Sequence, residues 1–403
     1  MRDPSRVRVA GPLQQYARGF VVELDRLGYK PKAAAFQVQL MAHLSRWMDA
    51  RHLGPMGLTP EAAGSFLAAR RAEGYVMWLS PKALVPLLGF LRRLGAAPPP
   101  AAAPVTPAEM LLGRYQRYLV TERGLAVVTA RGYVDMVRPF LAGREEASGL
   151  ALVDLTAAEV TAFVVAACPG KPKGTAKLTV TALRSLLRFL HVEGLSSEPL
   201  GEAVPAVASW RLAGLPRALE PGQVEALLAS CDHNTAVGRR DLAMLTLMAR
   251  LGLRAGEVAG LSLDDISWRA GEISVRGKGS RGERLPLPVD VGEAIAAYLA
   301  DGRPEPFEGA RQVFLRARAP HRGLASAGVT AAVCHAGQRA GIGRVSAHRL
   351  RHSAATAMLR SGAPLTEIGQ VLRHSQLAST AIYAKADLQA LRVLARPWPG
   401  DAA

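Results

Sequence analysis

Residues 346–384 read SAHRLRHSAATAMLRSGAPLTEIGQVLRHSQLASTAIYA. His348 and Arg351 stand three apart, so on a helix they share one face. His374 comes 23 residues after Arg351, and Tyr383 nine after that. Two more cationic positions lie upstream. Arg254 sits in ARLGLRAGEVAGLSLDDI (249–266), and Lys278 in the turn RGKGSRG (276–282). Arginine offers phosphate oxygens a planar fork of donors, and a tyrosine hydroxyl can form a covalent phosphoryl link. Two arginines, two histidines, a lysine and a late tyrosine therefore suit attack on a phosphodiester without a metal ion.

Each residue alone has a plainer explanation. Arg254 ends an apolar helical run and could be a surface arginine. The flanking Gly252 and Gly256 instead leave room for close approach of a backbone or a phosphate. Lys278, between Gly277 and Gly279, could be a solvated turn lysine. A His-x-x-Arg pair is commonly just a polar helix face. Ser346 as N-cap, however, places this pair near a positive helix end, where a phosphate is favoured. His374 could be a histidine at a helix C-terminus, which the helix dipole favours, and Tyr383 a core tyrosine. His352 is either a neighbour that supports the pair or simply packed. Glu257, three residues after Arg254, is better placed to orient that arginine or its helix than to act as an acid.

Taken in order, Arg254, Lys278, His348, Arg351, His374 and Tyr383 match the Arg, Lys, His-x-x-Arg, His and Tyr positions of the tyrosine recombinase, or phage integrase, family. The resemblance covers about residues 215 to 390 and is specific, because the matches are dispersed yet ordered. One departure is Arg373, where the family usually has Gly before its late histidine. The resemblance implies that Arg254 and Arg351 clamp the scissile phosphate and offset charge in its transition state. It implies that Lys278 protonates the departing 5′ oxygen, that His348 accepts or relays the tyrosine proton, and that His374 donates to a phosphate oxygen. Tyr383 is then the nucleophile. Arg276, Arg281 and Arg284 crowd the Lys278 turn and are expected to contact DNA phosphates. No cofactor or metal is expected, since neither a two-metal carboxylate set nor a Walker A loop is present.

The 403 residues exceed one typical domain. Lys and Arg outnumber Asp and Glu by 50 to 33, for a net charge of +17. That balance fits a polyanionic partner, although an Ala-, Gly- and Arg-rich text is also what a high-GC genome writes. Cys168, Cys231 and Cys334 form neither a disulfide framework nor a zinc motif, and read as buried free thiols in a reducing compartment. The first 20 residues lack a signal-peptide core, and no run of about 18 apolar residues suggests a membrane span. A bacterial cytoplasmic location is expected.

Proline and glycine punctuate the chain. AAPPPAAAPVTP (96–107) is a semi-rigid linker, and residues 195–216 interrupt the helical pattern again. The resulting division is an N-terminal helical segment over 1–97, a linker over 98–107, a helical core-binding segment over 108–195, a second linker over 196–214, and a catalytic segment over 215–403. The first two segments both read as helix, turn, helix, Thr-capped helix, helix, with Thr59 and Thr156 as N-caps, so the first looks like a diverged copy of the second. The second resembles the family's helical, SAM-like core-binding domain. In the third, short strands are expected near 265–268, 272–276 and 283–287, followed by helices from Pro288 to the end. The fold class is mostly α with a small antiparallel sheet.

The expected function is a site-specific DNA recombinase or integrase acting through a 3′-phosphotyrosyl intermediate on double-stranded DNA. The resemblance implies a homotetramer on two DNA sites, or a hetero-assembly with related recombinases. A mobile-element transposase of the same chemistry is the alternative within the class. A type IB topoisomerase would use the same chemistry without a specific site. A catalytically inactive DNA-binding accessory protein is the alternative outside it.

Overall fold

The computed structural model describes residues 3–100, 106–146, 149–208, 218–277 and 282–373. By its internal contacts the chain divides into two compact units. One unit is residues 100–211; the other joins residues 1–99 to residues 212–403.

In residues 3–100 the helices are α1 (Ala17–Arg26), α2 (Pro31–Asp49), α3 (Pro60–Ala72) and α4 (Val85–Arg93). Proline opens α2 and α3, where its missing N–H costs nothing. Thr59 caps α3 by accepting from the Ala62 amide at 3.2 Å. The apolar stripes of these helices meet in one core of Phe20, Met41, Leu44, Met48, Phe66 and Leu91.

The 100–211 unit holds α5 (Pro107–Thr121), α6 (Val127–Ala142), α7 (Ala157–Ala167) and α8 (Lys173–Val192). A short ribbon of β1 (Glu145–Glu146) and β2 (Gly149–Leu150) lies between α6 and α7. Thr156 and Glu159 close a reciprocal capping box at the start of α7. Leu183, Leu186, Leu187 and Leu190 of α8 are buried on one face, as their helical spacing requires. The buried Tyr115 hydroxyl donates to the Ala182 carbonyl at 3.2 Å, so its polar atom is satisfied.

The remaining part runs α9 (Pro221–Ala229), α10 (Ala236–Leu251), α11 (Ala255–Gly260), β3 (Ile266–Ser267), β4 (Glu272–Arg276), β5 (Gly282–Pro286), α12 (Val289–Asp301), α13 (Ser326–Arg339), α14 (Ala347–Arg360) and α15 (Leu365–Val371). α10 is its central helix and packs on α12 and α14, while α11 packs on α13. The strands form an antiparallel meander in the order β3-β4-β5. Ile273 pairs with Leu285 and Val275 with Glu283. Ile273, Val275 and Leu285 face the core, which leaves the alternate positions at the surface.

The expectation of unbroken helix after Pro288 fails between α12 and α13. Residues 302–325 instead carry two isolated bridges, Ser262 to Gln312 and Leu315 to Gly323. Pro304, Pro306, Gly309 and Pro320 interrupt helix formation there. All three cysteines are free, but only Cys231 is fully buried; Cys168 and Cys334 are partly exposed.

Residues 1–99 touch the catalytic segment at this same stretch. The Arg26 guanidinium lies 5.3 Å from the Phe307 ring centroid, and Arg322 lies 4.8 Å from it. Gly28 has φ +78°, and a Cβ there would stand 2.9 Å from the His321 ring. Only glycine allows both that backbone and that approach.

Candidate active site

Three chain turns build the site. The first is the corner between α10 and α11. Gly252 ends α10 with φ +59°, and a Cβ on it would come within 2.6 Å of Leu372. The tight corner delivers Arg254 to the N-cap position of α11. The second turn is the start of α14, where the Ser346 hydroxyl accepts from the Arg349 amide at 3.2 Å. The third is the end of α15, where Arg373 takes a left-handed φ of +54°.

Arg254 is 41 % exposed and its direction is fixed by Glu257. Its Nη1 donates to Glu257 Oε1 at 2.6 Å, and its backbone amide donates to Oε2 at 2.8 Å. Its Nη2 reaches the Arg373 carbonyl at 3.2 Å. Glu257 is only 5 % exposed. It also accepts from Arg373 Nη2 at 2.7 Å, and the Arg373 side chain is 3 % exposed. Burial acts to raise the Glu257 pKa, but the hydrogen bond from Arg373 and those from Arg254 outweigh it and hold the carboxyl below its usual range. One buried carboxylate thus serves two guanidinium groups and leaves the corner net positive.

Arg373, where the resemblance led to an expectation of glycine, takes a left-handed backbone. Such a conformation costs a non-glycine residue about 1–2 kcal/mol. The ion pair to Glu257 offsets that cost and ties the segment leading to His374 back to the Arg254 corner.

Arg351 is 2 % exposed. Its guanidinium donates to the carbonyls of Gly252 and Leu372. It therefore pins the first and third turns together, besides lining a cavity of about 330 Å³ with Arg254, Thr330, Ser346 and His348. His348 is one helical turn before His352. Their rings meet edge to face with centroids 4.3 Å apart. Burial, then the Arg351 and Arg254 charges, push His348 below the ordinary imidazole value. Burial, His348 and Arg351 push His352 down to about 4. Both shifts favour the neutral ring, the form in which His348 can accept a proton.

These shifts have a measurable consequence. As pH falls below 6.5, the unfolded chain takes up these protons before the folded one does. Stability from the neutral pair is complete above 6.5 and is lost from there towards about 4 for His352. Glu257 adds a loss only below its ordinary 4.5. The urea midpoint of the DNA-free chain should therefore drop between pH 6.5 and 5, and His352→Gln should flatten that drop. An unchanged slope in the variant would contradict the assignment.

Arg254, His348 and Arg351 are thus brought together as the sequence suggests. Lys278, His374, Tyr383 and Arg281 lie outside the described residues. Arg276 and Arg284 flank the Lys278 turn on the surface face of the sheet. Arg276 is 3.4 Å from Asp265, and Arg284 3.9 Å from Glu272. Thr330 lines the cavity and Arg373 pairs with Glu257, and neither follows from a sequence motif. A hydrogen-bonded pair 116 residues apart leaves no local pattern to find.

Residues 217–389 match the phage integrase family, and residues 112–194 match the phage integrase N-terminal SAM-like domain. The chain is 42 % identical over 97 % of its length to the putative integrase/recombinase y4rA of Sinorhizobium fredii, covering 96 % of that protein. It is 33 % identical over 71 % of its length to tyrosine recombinase XerD of Mycobacterium tuberculosis, covering 95 % of it. A lambda integrase tetramer bound to a Holliday junction shares the fold, with a TM-score of 0.52 at 16 % identity over 78 % of this chain and 87 % of that one. The chain belongs to the phage integrase family of tyrosine recombinases.

Proposed function

We propose that this protein breaks and rejoins double-stranded DNA at specific sites through a 3′-phosphotyrosyl intermediate on Tyr383. The observation that carries the reading is the cationic cavity that gathers Arg254 from the start of α11 with His348 and Arg351 from α14.

In this mechanism the scissile phosphate enters the cavity between the two guanidinium groups. The Tyr383 oxygen attacks phosphorus while His348 takes its proton. The bond to the 5′ oxygen breaks, and Lys278 supplies the proton that makes it a hydroxyl. His374 donates to a non-bridging oxygen. Charge grows on the phosphate oxygens as bonds exchange, so donors fixed in advance act most strongly there. The phosphotyrosyl bond conserves the energy of the broken one. A partner strand's 5′ hydroxyl reverses the step, with the proton flow reversed. Exchange between two duplexes calls for four active sites, which supports a tetramer on two DNA sites. Arg276, Arg281 and Arg284 contact phosphates beside the Lys278 turn, and most of the affinity is salt-sensitive.

A duplex nicked near the cleavage point traps the covalent species, because the short cut strand diffuses away. The protein should form this adduct in the presence of a chelator; a need for divalent metal would contradict the mechanism. On the same substrate Lys278→Ala should cleave slowly. A 5′-phosphorothiolate, whose leaving group needs no proton, should restore the rate. Without rescue the general acid lies elsewhere, with Arg276 or Arg281 next in line.

A further inference from the structure

Three features of Arg373 cost stability. Its backbone takes φ +54°, the left-handed region that a side chain disfavours. Its guanidinium is drawn out of water, with the side chain 3 % exposed, and desolvating a charge is unfavourable even when it is paired. Its Nε is buried and has no acceptor among the described residues. Glycine, which the resemblance leads one to expect at this position, would avoid all three. Among other non-glycine residues with a left-handed φ, His52 and Glu308 lie exposed, whereas Arg373 buries a charged group. Local strain held beside an active site points to a functional role.

The contacts of Arg373 converge on Arg254. Arg373 Nη2 donates to Glu257 Oε2 at 2.7 Å. The other oxygen of that carboxylate, Oε1, accepts from Arg254 Nη1 at 2.6 Å. Holding Oε2 fixes the plane of the carboxylate and hence the aim of Oε1. The Arg373 carbonyl accepts from Arg254 Nη2 at 3.2 Å. Both restraints on the Arg254 guanidinium therefore run through Arg373, one through its side chain by way of Glu257 and one through its main chain. Charge follows the same route. Glu257 is 5 % exposed, and without Arg373 its negative charge would fall on Arg254 alone. Burial raises the Glu257 pKa, and the Arg373 hydrogen bond is the largest influence against it. With Glu257 paired in this way, Arg254 and Arg351 keep their positive charge for a phosphate that gains negative charge in the transition state.

We propose that Arg373 is a positioning residue for DNA cleavage, aiming Arg254 at the scissile phosphate through Glu257 and neutralising the carboxylate behind it. The inference rests on the recombinase reading and adds to it a residue that acts through another instead of touching the phosphate. Arg254 is 41 % exposed. Left to itself, a side chain this long samples several rotamers, and a donor acts most strongly when it is fixed before the charge develops.

The test measures single-turnover adduct formation on the nicked duplex, with DNA affinity determined in parallel, for full-length variants. Arg373→Gly relieves the left-handed backbone, so a purely structural view expects it to be harmless. The positioning role instead predicts a rate lower by about 10–100-fold, the scale of misplacing a reacting group, at parental affinity. A 5′-phosphorothiolate should leave this defect in place, because protonation of the leaving group is not what is lost. Arg373→Lys returns the charge with a single donor group and should recover part of the rate. Because Arg373 acts through Glu257, its replacement by glycine should matter less in a Glu257→Gln background than in the parent. A glycine variant as fast as the parent would overturn the inference. So would an affinity loss that matches the rate loss, a lysine variant no faster than the glycine one, or equal losses in the two backgrounds. In each of these cases the parent still cleaves and the recombinase reading stands. A parent chain that forms no adduct would remove both.

Discussion

Tyr383→Phe is expected to abolish covalent attachment to DNA and leave DNA binding at the parental level. The substitution removes one hydroxyl and keeps the ring, so it takes away the nucleophile and little else. A phenol with a pKa of about 10 is a poor nucleophile at neutral pH. It becomes effective beside fixed cations and a base. In the proposed mechanism the cavity supplies these through Arg254, Arg351 and a His348 ring whose pKa lies below the ordinary imidazole value. No other tyrosine stands nine residues beyond His374. The covalent adduct on a nicked duplex should fall to background on a denaturing gel, while the mobility shift of the non-covalent complex persists. A covalent band of parental intensity would remove Tyr383 from its role.

Arg254→Ala should lower the single-turnover cleavage rate by about 10²–10³-fold, the loss typical of removing one preorganised donor from a developing oxyanion. Affinity should change far less, since many other phosphate contacts remain. The two arginines differ as probes. Arg351 is 2 % exposed and satisfies the Gly252 and Leu372 carbonyls, so its truncation would also loosen the turns it joins. Arg254 is partly exposed, and its removal leaves Glu257 paired with Arg373. Its effect therefore reports catalysis with little contribution from unfolding. Arg254→Lys should recover little of the rate, because a lysine ammonium cannot make the two-pronged contact. Near-parental cleavage by Arg254→Ala, with binding intact, would show that this arginine does not hold the phosphate.

Chemistry made much of the site legible in the sequence. Phosphate clamping demands arginine, and a helix face demands the three-residue spacing of His348 and Arg351. The orienting role of Glu257 also follows from spacing, since residues three apart meet on a helix. Its second partner does not. Arg373 reaches Glu257 through the tertiary fold, from a backbone conformation that sequence assigns to glycine. The strands were legible because Gly271 and a glycine-rich turn punctuate a β-branched and apolar alternation. Residues 302–325 depart from the helical expectation because prolines break the helix there, and their order comes from one bridge to Ser262 and one bridge within the stretch, Leu315 to Gly323. The approach of residues 1–99 to the catalytic segment was equally hidden. It depends on Arg26 meeting Phe307 and Gly28 meeting His321, contacts with no local signature. The Thr caps, by contrast, are local, and Thr59 and Thr156 occupy the N-cap positions their sequence contexts indicate.

The central claim is the covalent intermediate, and its linkage can be read directly. The parent chain is trapped on a nicked duplex, digested with protease and nuclease, and the surviving peptide–nucleotide adduct is sequenced by tandem mass spectrometry. The account predicts a single adduct in which the Tyr383 oxygen carries a 3′-phosphate, with a 5′ hydroxyl on the released strand. An adduct on another residue, a 5′-phosphoryl linkage, or cleavage with no protein–DNA adduct would contradict it.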